Sequence, residues 1–174
     1  MLDSNILKQI YGSLLTNEEF RPLMYRNITS IPGYYVTSYG RVISTKRNKV
    51  TFLSITNRDR GVGGAGNHSS IAITKPKGLI IDEFYGAERK AIPCMVHQLV
   101  MWAFKPIDEH PPEELKDTWN QVPKEWRQWV RDTVWIDHID DNPFNNHADN
   151  LRYVKPKDNN RQRKHHGNKG KDTV

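Results

Sequence analysis

Most of what this sequence predicts about fold and function comes from WIDHIDDNPFNNHADNLRYV, which runs from Trp135 to Val154. It contains an Asp-His pair, then a loop dense in Asp and Asn, then Asn-Leu-Arg-Tyr-Val. Residues 133–137 and 151–154 are predicted strands, because aromatic and β-branched residues there flank a turn-rich segment. Asn, Asp and Pro are ordinary turn residues. The same residues beside an imidazole could also form a metal site with a built-in base.

A helix is predicted after the second strand. Pro156 suits the first turn of a helix, and the helix would continue through DNNRQRK, residues 158–164. If that helix packs on the hairpin, Asn159 can approach Asp137. Carboxylate and amide oxygens suit Mg²⁺, which takes one or two protein ligands and keeps several waters. His138 beside such an ion would act as a neutral base, whereas a structural zinc site needs four N or S ligands.

Residues 135–163 resemble the HNH endonuclease motif in the form found in phage and intron homing endonucleases. That motif has a D-H pair, a D-x-N-x-x-N-N loop, an N-L-R-[WY]-V strand and an Asn on the next helix. These are Asp137-His138, residues 140–146, residues 150–154 and Asn159 here. VHQLVMWAF, residues 96–104, resembles the helix that leads into the motif. IPGYYVTSYGRVIS, residues 31–44, resembles the short NUMOD4-like segment, here around residues 27–44, that often accompanies these nucleases.

The resemblance implies a ββα-metal fold and hydrolysis of DNA to 5′-phosphate and 3′-hydroxyl ends. His138 would be the general base, and Asn150 would tie the loop together and help to orient it. Asp137 and Asn159 would bind one divalent metal ion, Mg²⁺ or Mn²⁺, that stabilises charge at the scissile phosphate. Lys155 departs from the family, which often has a small hydroxyl residue at that position. No helix-turn-helix is expected after Asn159, so the N-terminal unit is expected to recognise the target.

The net charge of +6 is unevenly distributed. Residues 155–174 have seven Lys or Arg against two Asp, residues 41–60 have six against one acid, and residues 107–137 have eight acids against four bases. Two basic stretches suggest a polyanion partner such as nucleic acid, although solvated surface charge is the alternative. The resemblance implies that this partner is double-stranded DNA. The residues expected to bind DNA are Arg41, Lys46, Arg47, Lys49, Arg58, Arg60, Arg161, Arg163 and Lys164.

Several classes of protein are not expected. The sequence has no apolar run of membrane-spanning length and no secretory signal at its N-terminus. Its single cysteine, Cys94, excludes an intramolecular disulfide framework and a CxxC zinc knuckle. We therefore expect a cytoplasmic protein, in the host cell if phage-encoded, with no membrane partner and no small-molecule cofactor beyond the metal. A monomer is favoured, while the target site and one- or two-strand cutting stay open.

The predicted fold class is α+β, with a C-terminal ββα-metal nuclease motif and a small N-terminal antiparallel-sheet unit. The expected divisions are an N-terminal DNA-binding unit (1–93), an HNH domain (94–167) with an acidic insertion (107–131), and a disordered tail (168–174).

Local patterns predict the other elements. Helices are predicted at 1–27, 95–104, 113–119 and 124–131. Strands are predicted at 34–37, 41–44, 70–74 and 78–82. A turn is predicted at Pro32-Gly33 and a Gly-rich loop at residues 58–70. On helix 95–104, His97 is interpreted as a packed core residue. Trp119, Trp126 and Trp129 are expected to anchor the insertion on the core, although aromatic residues beside bases can also stack on nucleic acid.

Other functions are compatible with the same residues. One is a DNA-binding protein whose HNH module is inert, and another is an HNH nuclease of restriction or packaging type. An RNA-directed or structural interaction protein is supported only by the basic tail and the tryptophans.

Overall fold

The chain combines α-helices with antiparallel sheets, and most strands follow one another in a run, so the predicted α+β class is confirmed. The computed structural model describes residues 2–26, 29–59, 67–75 and 91–156. Three α-helices and three antiparallel sheets lie within these ranges. No helix of the described ranges is long and apolar enough to cross a membrane.

The N-terminal segment forms a short helix and then a strand. Helix α1 spans Ser4–Tyr11 and ends at Gly12, and strand β1 spans Phe20–Tyr25. The prediction of a mostly helical segment over residues 1–27 is therefore wrong beyond the first helix. Within the described ranges β1 pairs only with β2, so Pro22 lies on an edge strand, where proline is tolerated.

The first sheet has the order β1-β2-β3-β4. Strands β2, β3 and β4 span Thr29–Thr37, Val42–Ser44 and Thr51–Phe52. The predicted hairpin around residues 38–40 is confirmed. The predicted turn at Pro32-Gly33 is wrong, since both residues lie inside β2, where Gly33 adopts a φ of 77°.

The second sheet carries the helix that forms the centre of the molecule. Strands β5, β6 and β7 span Thr56–Arg58, His68–Thr74 and Ala91–Met95, and helix α2 follows at Val96–Phe104. The strand predicted at 70–74 and the helix predicted at 95–104 are confirmed, whereas β5 and β7 were not predicted. The strand predicted at 78–82 and most of the predicted Gly-rich loop lie outside the described residues.

The acidic segment after α2 contributes to the core through Ile107 and Trp119, both 2% exposed. Two 3₁₀ turns, Glu113–Leu115 and Trp119–Gln121, replace the first predicted helix, and α3 at Lys124–Thr133 confirms the second. The prediction that all three tryptophans anchor this segment is wrong for two of them. Trp126 and Trp129 are 61% and 60% exposed and pack edge-to-face on each other.

The third sheet is the predicted hairpin, with β8 at Trp135–His138 and β9 at Leu151–Val154. One hydrophobic cluster, containing most of α2, extends from Leu23 to Tyr153. Strand β7 and this cluster both cross the predicted boundary at residue 93, and the division into units stays a prediction. The predicted final helix beyond Pro156 and the predicted tail lie outside the described residues.

Candidate functional site

The end of the β8–β9 hairpin places an Asp and a His side by side. Asp137 pairs with Arg152 and His138 with Leu151 across the two strands. Residues 139–150, called the site loop below, follow His138. The Ile139 amide donates to the Asn150 carbonyl at 2.8 Å, which extends the ladder by one step.

Asn150 cross-links the two ends of the site loop. Its Nδ2 donates to Asp140 Oδ1 and to the Asn145 carbonyl, both at 2.8 Å, and its Oδ1 accepts from the Asp140 amide at 3.0 Å. The Asn145 side chain also donates to Asp140, and this hydrogen bond leads the interactions that lower the pKa of that carboxyl. The loop therefore closes through amide donors on an ionised carboxylate.

Asp137 is a buried carboxylate with a cationic partner. It is 6% exposed, and its Oδ2 accepts from Nε and one terminal nitrogen of Arg152, at 2.9 and 2.8 Å. Burying a charged side chain is costly unless it is paired and hydrogen-bonded, and Arg152 supplies that pairing. Arg152 thereby fixes the orientation of the carboxylate while the rest of its own side chain reaches the surface.

His138 contacts two side chains from different elements. Its Nε2 lies 3.2 Å from Asn146 Oδ1. The ring of His97 from α2 packs edge-to-face against it, with ring centroids 5.4 Å apart. The Nδ1 of His97 is shielded from solvent, and burial lowers the pKa of His97 to about 3, with His138 and His68 adding to the effect. His97 is thus neutral and places no positive charge beside His138.

The site loop also docks on both N-terminal sheets. Asn146 donates through Nδ2 to Ser69 Oγ on β6 at 3.0 Å. The Ala148 amide donates to the Ser38 carbonyl, in the turn between β2 and β3, at 2.7 Å. In the same turn, Tyr39 packs on the ring of His147, with centroids 4.6 Å apart. Elements far apart in sequence therefore hold the loop around His138.

The residues expected to bind DNA occupy different environments. Arg41 has intramolecular partners: it donates to buried Glu18 and to the Ser13 carbonyl, and it covers the Phe52 ring. Residues Lys46–Asn48 form an exposed 3₁₀ turn after β3. Lys46, Arg47, Lys49 and Arg58 are exposed, whereas Arg60, Arg161, Arg163 and Lys164 lie outside the described residues.

Only one of the two predicted metal ligands lies among the described residues. Asp137 is described above, and Asn159 lies outside the described residues. Across the ranges that are described, no three His, Cys, Asp or Glu side chains are grouped so as to hold a metal ion. A site of one carboxylate and one amide contains no such group, and its hard oxygen donors suit Mg²⁺ or Mn²⁺.

Sequence reasoning missed the neighbours of His138. Local patterns predict Asn146 as a turn-former, Ser69 as part of the Gly-rich loop at 58–70, and His97 as a packed core residue. Asn146 and Ser69 are 77 residues apart, so no local pattern links them. A local signal that could have been followed is the glycine at position 40, because glycine is favoured where φ is positive, as here at 78°, or where another segment approaches closely.

Comparisons with known proteins provide one structural likeness. No family model and no curated protein matches the chain. A solved structure described as "DNA binding and cleavage by the HNH homing endonuclease I-HmuI" matches with 21% sequence identity and a TM-score of 0.46. The match covers 86% of this chain and 59% of that one, so this chain spans less than two thirds of the other's length.

Proposed function

We propose that this chain is a metal-dependent DNA endonuclease of the HNH type, with the activity of a homing endonuclease. The single observation that supports this most is the hairpin end, where a buried carboxylate and a hydrogen-bonded imidazole are consecutive residues. The loop that follows is cross-linked by Asn150. A simple β-turn needs neither the buried Asp137 nor the ring contacts of His138.

In the proposed reaction, neutral His138 accepts a proton from the water that attacks phosphorus. The bond from phosphorus to the 3′-oxygen breaks, so the phosphate stays on the 5′ end. The 3′-oxygen leaves and becomes a hydroxyl by taking a proton from solvent. Asn150 acts through the loop, since its hydrogen bonds hold the segment that leads away from His138.

Asp137 and Asn159 would hold one divalent metal ion, Mg²⁺ or Mn²⁺. When bound, the ion supplies positive charge and Lewis acidity at the scissile phosphate. The Arg152 pair supports this role for Asp137, because a carboxylate held by a partner presents its oxygen in a fixed direction.

Double-stranded DNA is the proposed substrate and partner. The exposed Lys46, Arg47, Lys49 and Arg58 would contact phosphates, which makes binding weaken as salt rises. The proposed location is the cytoplasm, that of the host cell if the chain is phage-encoded.

The test is an incubation of the purified chain with supercoiled plasmid and with a random-sequence DNA library. Mg²⁺, Mn²⁺ and EDTA are compared for the wild type, His138→Ala and Asp137→Asn. His110→Ala is the matched control, because His110 is an exposed histidine remote in sequence from the hairpin. DNA binding by mobility shift and Mn²⁺ binding by electron paramagnetic resonance are measured on the same samples.

Metal-dependent cleavage that is lost in His138→Ala, with DNA binding and the His110→Ala control unchanged, is the expected result. Asp137→Asn should lose both cleavage and Mn²⁺ binding. Intact DNA binding without cleavage of either substrate in either metal would instead identify a binding protein with an inert HNH module.

A further inference from the structure

A series of three hydrogen bonds begins at His138 and continues into the second sheet. His138 Nε2 contacts Asn146 Oδ1 at 3.2 Å, Asn146 Nδ2 donates to Ser69 Oγ at 3.0 Å, and Ser69 Oγ donates to Asn57 Oδ1 at 2.7 Å. Asn146 and Ser69 are both buried, 6% and 2% exposed. A buried polar side chain destabilises a protein unless it forms hydrogen bonds. Here Asn146 and Ser69 supply hydrogen bonds to each other, and each also bonds to a further residue.

The orientation of the Asn146 amide follows from its neighbours. Its nitrogen lies 3.1 Å from the Phe144 carbonyl, which can only accept a hydrogen bond. The donating end of the amide therefore faces Phe144 and Ser69, and its oxygen faces His138. An amide oxygen only accepts, so His138 Nε2 must be the donor. A neutral imidazole carries one proton, which leaves the lone pair on Nδ1.

We propose that Asn146, held by Ser69, is a positioning residue that selects the Nε2–H tautomer of His138 and makes Nδ1 the atom that accepts the proton from water. This inference rests on the proposed nuclease function. It adds a residue outside the expected set of Asp137, His138, Asn150 and Asn159. It also gives the second sheet a role in the reaction, because Ser69 belongs to β6.

Ser69 fixes the amide as well as the loop. Without the Ser69 hydroxyl, Asn146 Nδ2 keeps only the Phe144 carbonyl, and the amide can rotate away from His138. Ser70, the next residue on β6, points to the opposite face and is paired with Thr56. Ser70→Ala is therefore the matched control for Ser69→Ala, with the same chemical change on the same strand.

The experiment measures tautomers and kinetics on the full chain. Two-bond proton–nitrogen NMR spectra, recorded above neutral pH, report the tautomer of His138, whose signals are assigned by their loss in His138→Ala. Single-turnover cleavage rates and DNA affinity are measured in parallel. The variants are Ser69→Ala, Ser70→Ala, Asn146→Leu and Asn146→Asp, the last of which keeps an acceptor oxygen for His138.

The wild type and Ser70→Ala should show only the Nε2–H tautomer. Ser69→Ala and Asn146→Leu should show a mixture of the two tautomers. Their cleavage rates should fall by about tenfold to a hundredfold at unchanged DNA affinity, as for other partners that orient functional histidines. Asn146→Asp should restore the single tautomer.

A wild-type His138 protonated on Nδ1 would overturn the proposal. So would wild-type spectra and rates in Ser69→Ala, or a lower rate without a change of tautomer. Ser69→Ala keeps the test valid if Asn146→Leu does not fold, because Ser69 acts on His138 only through the amide. If the wild type cleaves no DNA, the nuclease proposal fails, and the spectra alone still decide whether Asn146 sets the tautomer.

Discussion

Gly40, in the turn between β2 and β3, lies directly against Asn146 of the site loop. A β-carbon at Gly40 would be 2.8 Å from Asn146 Cβ and 3.2 Å from Val96 Cγ1. Real β-carbons almost never come as close as the first distance, and the second is tighter than most such contacts. The first sheet thus leaves room for the residue that contacts His138.

Gly40→Ala is expected to destabilise the protein and slow cleavage. The substitution adds backbone strain of about 1–2 kcal/mol, because the φ of 78° is left-handed, and a steric clash of about 1–3 kcal/mol. Urea unfolding measures the free energy. Gly33→Ala is the control, since Gly33 has a similar φ of 77° but its nearest neighbour would be 3.4 Å away. Equal losses in the two variants would contradict the importance of the Asn146 contact.

Asn150→Asp is expected to open the site loop. The Asn150 amide donates to Asp140 and to the Asn145 carbonyl. An ionised carboxylate at position 150 has no N–H or O–H to donate, so both hydrogen bonds would be lost. We expect a loss of about 2 kcal/mol, from two hydrogen bonds at about 1 kcal/mol each, and slower cleavage.

Asn142→Asp is the control for that change, because the Asn142 side-chain oxygen accepts from the Phe144 amide and a carboxylate can do the same. Thermal melting compares the two variants. If Asn142→Asp lowers the Tm as much as Asn150→Asp does, the hydrogen bonds donated by the Asn150 amide are not what stabilises the loop.

The ion pair between Glu18 and Arg41 is expected to make stability depend on acid pH. Burial alone would raise the pKa of Glu18, but hydrogen bonds from Arg41 and the Leu15 amide outweigh it and lower that pKa. A carboxyl whose pKa is depressed by folding stabilises the protein above the ordinary value of 4.5. This contribution is lost as pH falls through the lower, folded-state pKa.

Glu18→Gln should therefore reduce the free energy of unfolding by about 2 kcal/mol at neutral pH, between the values typical of exposed and buried pairs. Below pH 4.5 the difference from wild type should shrink. Glu113→Gln is the control, since its pair with Lys116 is exposed. Urea titrations over a pH series measure both variants, and a constant difference across the series would argue against the ion pair.

The three tryptophans of the acidic segment should differ in their contribution to stability. Trp119→Ala should cost about 3–5 kcal/mol, because the side chain is almost fully buried. Trp126→Ala and Trp129→Ala should change stability by less than about 0.5 kcal/mol, because both are largely exposed. Chemical denaturation of the three variants tests this, and a large loss in Trp126→Ala would show that the exposed pair has a structural role.

Local sequence patterns predicted the parts of the molecule that depend on near neighbours. The hairpin, the turn at 38–40 and helix α2 follow from alternation, turn residues and apolar spacing within about ten residues. The segment 20–25 was predicted to be helical and became β1, because pairing with β2 outweighed a helix-like apolar spacing. Apolar content placed all three tryptophans in the core, but only the folded chain decides which side of α3 meets it.

The sequence by itself determined that an Asp and a His would stand together at the end of a hairpin, followed by a loop rich in amides. That information is local, because neighbouring residues on a strand stay neighbours in the fold. The tertiary structure alone decided which amide contacts His138. Asn146, Ser69 and Gly40 are far apart in the chain and meet only because three sheets pack around α2. Hydrogen bonds of this kind depend on distances between elements, which no spacing along the sequence encodes.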